Sequence, residues 1–135
     1  MKLRVLETAL YVEDLDASKK FYADLFGCKT LLADDRMRAL NIGDTNVLLL
    51  FKRGGTTNGD QVEGGFIPPH DAIGQIHLCF AIDKDDVEEH QRVLKVNNVE
   101  IICTVFPPRG GTSLYFRDPD GHLIELATPG IWEIY

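Results

Sequence analysis

The sequence predicts an α+β fold of two βαβββ modules, a curved mixed sheet around a metal or ligand cavity with the helices outside. Three observations carry this. The order strand, helix, three strands runs twice along the chain. A Gly- and Pro-containing loop separates the two runs. Three side chains that suit a metal, Glu7, His77 and Glu125, each stand in an otherwise apolar strand.

The first module, about residues 1–55, opens with a strand from Leu6 to Val12. Glu13-Asp14-Leu15-Asp16 leads into a helix that Asp14 or Asp16 can cap, with Leu15, Phe21, Tyr22, Leu25 and Phe26 at helical spacing. Gly27 follows, where a helix end favours a left-handed residue. Strands are expected over 29–33, 37–42 and 46–51, the last two joined by the turn Gly43-Asp44-Thr45-Asn46. A long loop, 53–73, holds Pro68-Pro69 and links this module to the second, about 74–130, within a single domain of 1–135. There the strand Ile76 to Ile82 leads through Asp83-Lys84-Asp85-Asp86 into a helix carrying Val87, Val93, Leu94 and Val96, ended by Asn97-Asn98. Strands over 100–105, 113–117 and 122–128 complete it, with Asp118-Pro119-Asp120-Gly121 as a turn.

Overlaying the modules places Glu7 on His77 and Leu49 on Glu125. The candidate ligands therefore respect the internal repeat, which scattered polar residues would not. Strand alternation puts Glu7 on one face with Ala9 and Tyr11, His77 with Cys79 and Ala81, and Glu125 with Leu123 and Ala127. Val47, Leu49, Phe51, Tyr11, Leu123 and Tyr115 would add a mostly apolar wall suited to a small organic ligand beside a cation. An ionised carboxylate in a buried strand costs several kcal/mol unless a cation or strong donors meet it, so Glu125 is the sharpest of the three signals.

Composition limits the partners. The 135 residues are 44% hydrophobic with a formal charge of −7, which suits a folded domain and argues against nucleic acid, whose phosphates need clustered cations. No apolar run approaches the roughly 20 residues of a membrane span, and the N-terminus lacks a signal-peptide core. Three cysteines, Cys28, Cys79 and Cys103, form no CxxC pair and read as free thiols of a reducing compartment, the cytoplasm. Plainer readings compete at each position. Glu125 and His77 can be a polar core pair, Glu7 a solvated strand start, His70 a surface residue beside Asp71, and Arg109 a partner of local carboxylates. His122 and His90 read as solvated, and Cys79 as a small buried hydrophobe.

The motifs Glu7-Thr8-Ala9-Leu10-Tyr11-Val12-Glu13-Asp14-Leu15, Lys20-Phe21-Tyr22, Ile76-His77-Leu78-Cys79-Phe80 and Phe116-Arg117-Asp118-Pro119-Asp120-Gly121-His122-Leu123-Ile124-Glu125-Leu126 resemble the vicinal oxygen chelate superfamily. It includes glyoxalase I, extradiol dioxygenases, fosfomycin-resistance proteins, methylmalonyl-CoA epimerase and bleomycin-resistance proteins. The resemblance covers nearly the whole chain and implies a divalent metal, Mn, Fe, Ni, Zn or Mg, held by Glu7, His77 and Glu125. Glu7 departs from the usual His and makes the set rich in hard oxygen. Leu49 takes the place of a fourth ligand, leaving positions for a bidentate substrate oxygen pair. The implied activity is of lyase, isomerase or dioxygenase type. Glu7, Glu125 and Tyr115 are the candidate catalytic residues; Arg109, Tyr11, Leu49, Phe51 and His70 are the candidate substrate contacts. Arg109 offers a guanidinium fork for an anionic substrate. The resemblance also implies a homodimer, to which Ile131, Trp132 and Tyr135 could contribute. The alternative is a metal-free sequestering protein of the bleomycin-resistance type.

Overall fold

A computed structural model describes all 135 residues. They fall into two compact units, Met1–Gly74 and Gln75–Tyr135.

In the first unit, β1 (Glu7–Val12) is followed by α1 (Leu15–Phe26), β2 (Thr30–Ala33), β3 (Met37–Ile42) and β4 (Asn46–Lys52). The sheet order is β1-β4-β3-β2, with β1 and β4 parallel and the other pairs antiparallel. Asp14 is the helix cap, its carboxylate accepting from the backbone N–H groups of Asp16 and Ala17 at 3.0 and 2.9 Å. Gly27 ends the helix at φ 65°, a conformation that costs a residue with a Cβ. The apolar face of α1 packs on β3 and β4. Leu10, Val12, Tyr22, Leu40, Leu48 and Leu50 are buried there, each burial contributing roughly 1.5–3 kcal/mol. Alternation leaves Ala9, Tyr11, Val47, Leu49 and Phe51 half-buried on the opposite face.

The linking segment is not wholly irregular. Asp60–Val62 (β5) and Gly65–Ile67 (β6) pair as an antiparallel hairpin. Arg36 Nη2 donates to Asp60 at 2.6 Å and ties its base to the unit. Each strand has three residues and the segment is rich in glycine, so no alternation rises above the turn signals.

The second unit repeats the topology. β7 (His77–Ala81) is followed by a short 3₁₀ turn, α2 (Val87–Val96), β8 (Cys103–Val105), β9 (Ser113–Arg117) and β10 (Leu123–Ala127). The sheet order is β7-β10-β9-β8, again first, fourth, third, second, with β7 and β10 parallel. Leu94, Leu114, Phe116, Ile124 and Leu126 are its buried core. Residues 100–102, expected as strand, precede β8, which begins at Cys103.

Two solvation expectations are corrected. His122 is 1% exposed: its Nδ1 accepts from the Ile76 N–H at 3.1 Å, and its own N–H donates to Asp118 Oδ1 at 2.8 Å. The turn folds inward because Asp118, itself buried, needs those donors. Cys79 is exposed rather than buried, as it lies on the open face of an edge strand. All three cysteines are free, and no helix is long and apolar enough to cross a membrane.

Candidate metal centre

Register in the second unit assembles the site. Glu125 lies opposite Cys79 on one side and Tyr115 on the other, while His77 is opposite Leu123. His77, Cys79, Tyr115 and Glu125 thus share one sheet face, with Glu125 in the centre of the sheet and His77 at its edge. Glu125 is 6% exposed, a buried carboxylate as its strand context predicts.

The imidazole of His77 is oriented by the backbone. Its Nδ1 stands 3.0 Å from the Leu123 carbonyl oxygen, which only accepts, so Nδ1 carries the proton. A neutral ring then turns the lone pair of Nε2 toward Glu125 Oε2, 3.2 Å away. Two acceptors so placed repel unless a proton or a metal ion lies between them. Two ligands each about 2.1 Å from one cation and at right angles stand about 3.0 Å apart, so the pair has the spacing of adjacent metal ligands. The side chains present therefore fit a divalent cation as far as this pair goes.

Two neighbouring groups on the same face, Tyr115 and Cys79, interact with Glu125. Tyr115 stacks near His77 with ring centroids 6.2 Å apart. Burial pushes the Tyr115 hydroxyl above its ordinary pKa, and its hydrogen bond to Glu125 adds to the rise, keeping the proton on the phenol. The Cys79 thiol is pushed up to about 12 by desolvation against the sheet, reinforced by the Glu125 charge and hydrogen bond. It is a neutral donor to the carboxylate rather than a thiolate.

The other expected site residues are placed as follows. Glu7 is exposed at the start of β1, in the first unit. No group of three or more His, Cys, Asp or Glu side chains that could hold a metal ion is gathered. Tyr11, Leu49 and Phe51 share one face of the first sheet, Ala9 facing Leu49 and Tyr11 facing Phe51. His70 joins Tyr11 and Phe51: the Tyr11 hydroxyl is 2.7 Å from His70 Nδ1, and the Phe51 and His70 ring centroids are 4.7 Å apart. Arg109 Nη2 donates to Glu133 at 3.3 Å in an exposed pair. Two supporting groups had no sequence signal: the Leu123 carbonyl that orients His77, and Thr56, whose hydroxyl donates to the His70 carbonyl and whose own carbonyl accepts from the His70 N–H at 3.2 Å.

Paired βαβββ units with a His–carboxylate pair on the open face of the second sheet define a glyoxalase-type fold. The chain belongs to the Glyoxalase/Bleomycin resistance protein/Dioxygenase superfamily, whose family model matches residues 4–126. It is 32% identical to the metallothiol transferase FosB of Staphylococcus epidermidis over 121 residues, covering 87% of this chain and 75% of that protein. It is 30% identical to a probable lactoylglutathione lyase of Vibrio parahaemolyticus, covering 91% of this chain and 88% of that one. Among solved structures, a lactoylglutathione lyase from Agrobacterium tumefaciens superposes with a TM-score of 0.87 at 33% identity, over 97% of each chain.

Proposed function

We propose that the protein is a divalent-metal-dependent enzyme of lyase or transferase type, acting on a small oxygen-bearing substrate in thiol-linked chemistry. The observation that carries this reading is the lone pair of His77 facing the buried carboxylate of Glu125 at 3.2 Å. Glu7 is the proposed third ligand, and two carboxylates with one imidazole favour Mn²⁺, Fe²⁺, Ni²⁺ or Mg²⁺ over a thiolate-seeking ion. A bound cation would supply Lewis acidity toward a carbonyl or hydroxyl oxygen pair of the substrate. The chain's own contributions are orientation and proton handling. Tyr115, whose phenol keeps its proton, is the proposed donor to a developing oxyanion. Tyr11, Leu49, Phe51 and His70 are the proposed substrate wall, and Arg109 would need to exchange Glu133 for an anionic group.

The thiol-linked reading draws on the names of the relatives, a metallothiol transferase and lactoylglutathione lyases. Action as a homodimer in the cytoplasm belongs to the same proposal. Leu31, Leu32, Phe106 and Trp132 are exposed apolar side chains that a second copy would cover, and sedimentation at micromolar concentration reads the mass.

The test is metal content after chelator-free purification, in wild type and in Glu125→Gln. Near-stoichiometric metal lost in the variant is expected, followed by metal-dependent consumption of a thiol with a 2-oxoaldehyde or an epoxide. No metal in either protein, and no thermal stabilisation by added divalent ions, favours the metal-free sequestering protein instead.

A further inference from the structure

The open face of the first sheet is graded from polar to aromatic. Register sets Glu7 beside Val47, Ala9 beside Leu49, and Tyr11 beside Phe51, with Met37 on the other side of Phe51. All of these but the exposed Glu7 are half-buried. At the aromatic end three rings meet. Tyr11 and Phe51 are stacked with centroids 5.9 Å apart. His70 stands across both, its ring centroid 5.8 and 4.7 Å from theirs and its plane inclined by 62° and 73°. The His70 backbone is clasped. Pro68-Pro69 precede it, and the buried Thr56 accepts from its N–H and donates to its carbonyl.

The imidazole is held as firmly as the backbone. The Tyr11 hydroxyl is 2.7 Å from His70 Nδ1. Burial, and after it the charge of Asp71, raises the Tyr11 pKa, so the phenol keeps its proton and points it at Nδ1. A neutral imidazole that accepts at Nδ1 carries its own proton on Nε2. That N–H has no partner within the chain and is not sealed from solvent. It is a fixed donor at the edge of an aromatic floor, so the group it takes must be an acceptor. The surroundings limit the charge on that acceptor. Asp71 follows His70, its carboxylate accepting from the Gly54 N–H at 3.2 Å, and the chain as a whole carries −7. Both repel an anion, as do the negative ring faces of Tyr11 and Phe51.

We propose that Tyr11, Phe51 and His70 form a subsite for an uncharged carbonyl-type oxygen, of a ketone, amide or ester, carried on a flat apolar group. The oxygen accepts from the His70 Nε2–H, and the flat group lies against Phe51 and over Ala9 and Leu49. Tyr11 is the positioning residue, holding the tautomer and the direction of the imidazole. This deepens the reading of these residues as a substrate wall and rests on it. It involves neither the metal nor any residue of the second unit.

The test is ligand binding to the full chain without metal, followed by NMR. The ring ¹⁵N shifts of His70 report the tautomer, and titrations are run at a pH where they show a neutral ring. Protonation at Nε2 is expected in wild type; protonation at Nδ1 overturns the proposal. The probes are acetophenone, its hydrocarbon isostere α-methylstyrene, and benzoate. Acetophenone is expected to bind about fivefold tighter than α-methylstyrene, the ratio one ordinary hydrogen bond gives, and tighter than benzoate. His70→Phe keeps a ring but removes the donor, so the ketone's advantage should vanish. Tyr11→Phe should reduce that advantage at least twofold and move the ¹⁵N shifts toward a mixture of tautomers, which a merely structural role would not do. Phe51→Leu should weaken all three probes about equally. Equal binding of ketone and hydrocarbon by wild type, a ketone advantage that survives His70→Phe, or benzoate as the tightest probe overturns the acceptor subsite. Unchanged ¹⁵N shifts in Tyr11→Phe overturn the positioning role. If no probe moves the Tyr11, Phe51 or His70 signals, the substrate-wall reading itself has failed.

Discussion

In the metal-free protein, Glu125→Gln should stabilise the fold. With the imidazole neutral, the wild type holds Nε2 of His77 and Oε2 of Glu125 3.2 Å apart with no proton between them. The amide of E125Q has nearly the same shape but both polarities. Its NH₂ can donate to Nε2 while its oxygen still accepts from Tyr115, and a buried charge is removed. A newly made hydrogen bond contributes about 1 kcal/mol, and an unsatisfied buried acceptor costs about 1–3 kcal/mol. The His77 side chain is 49% exposed, so water already relieves part of the conflict, and the lower end applies. A gain of about 1 kcal/mol should appear as roughly 3–5 °C in Tm. The assay is a pair of thermal melts, in EDTA and in Mn²⁺ at about a hundredfold excess over Kd. The metal should stabilise wild type by about 2.7 kcal/mol and leave the variant almost unmoved. The order of the two proteins therefore reverses between the conditions. A variant that melts below wild type in EDTA would mean that Glu125 is a structural core carboxylate. Equal stabilisation of both by metal would place the ion elsewhere.

Chemistry at Cys79 should also be slow. Desolvation and the neighbouring Glu125 charge put its pKa at about 12, so iodoacetamide near pH 8 should label Cys79 far more slowly than the equally exposed Cys103, as read by mass spectrometry. Equal rates would refute the shift. The sign of the linked stability is fixed: the unfolded thiol loses its proton first, so this contribution is full below about pH 9 and declines toward pH 12. Cys79→Ala should flatten that decline in a pH series of melts. Leu50→Ala, at a fully buried position of β4, should cost about 2–5 kcal/mol by denaturant titration, while an exposed substitution such as Lys95→Ala should stay within about 0.5 kcal/mol.

Much of this architecture is local and therefore legible in the chain. Leu10, Val12, Leu48, Leu50, Leu114, Phe116, Ile124 and Leu126 alternate with open-face residues, so period-2 patterning alone identifies strands and their inner faces. Asp14 and Gly27 bound α1 through short-range capping, and the repeat predicts that both sheets share one strand order. Glu125 stands out because a carboxylate among buried aliphatics is costly wherever the strand is placed. The hairpin Asp60–Ile67 lacks any comparable local signal. Other features required the tertiary structure. That His77 gives its Nδ1 proton to Leu123, 46 residues away, and turns Nε2 to Glu125 follows from parallel register between β7 and β10. That His70 reaches Tyr11 across 59 residues depends on the path of a Gly- and Pro-rich segment. His122 looks solvated in a turn sequence but is buried because Asp118 and Ile76 converge on it. Periodicity records which face a side chain takes. Which partner it meets there is set by register and loop path, and these depend on contacts the local sequence does not contain.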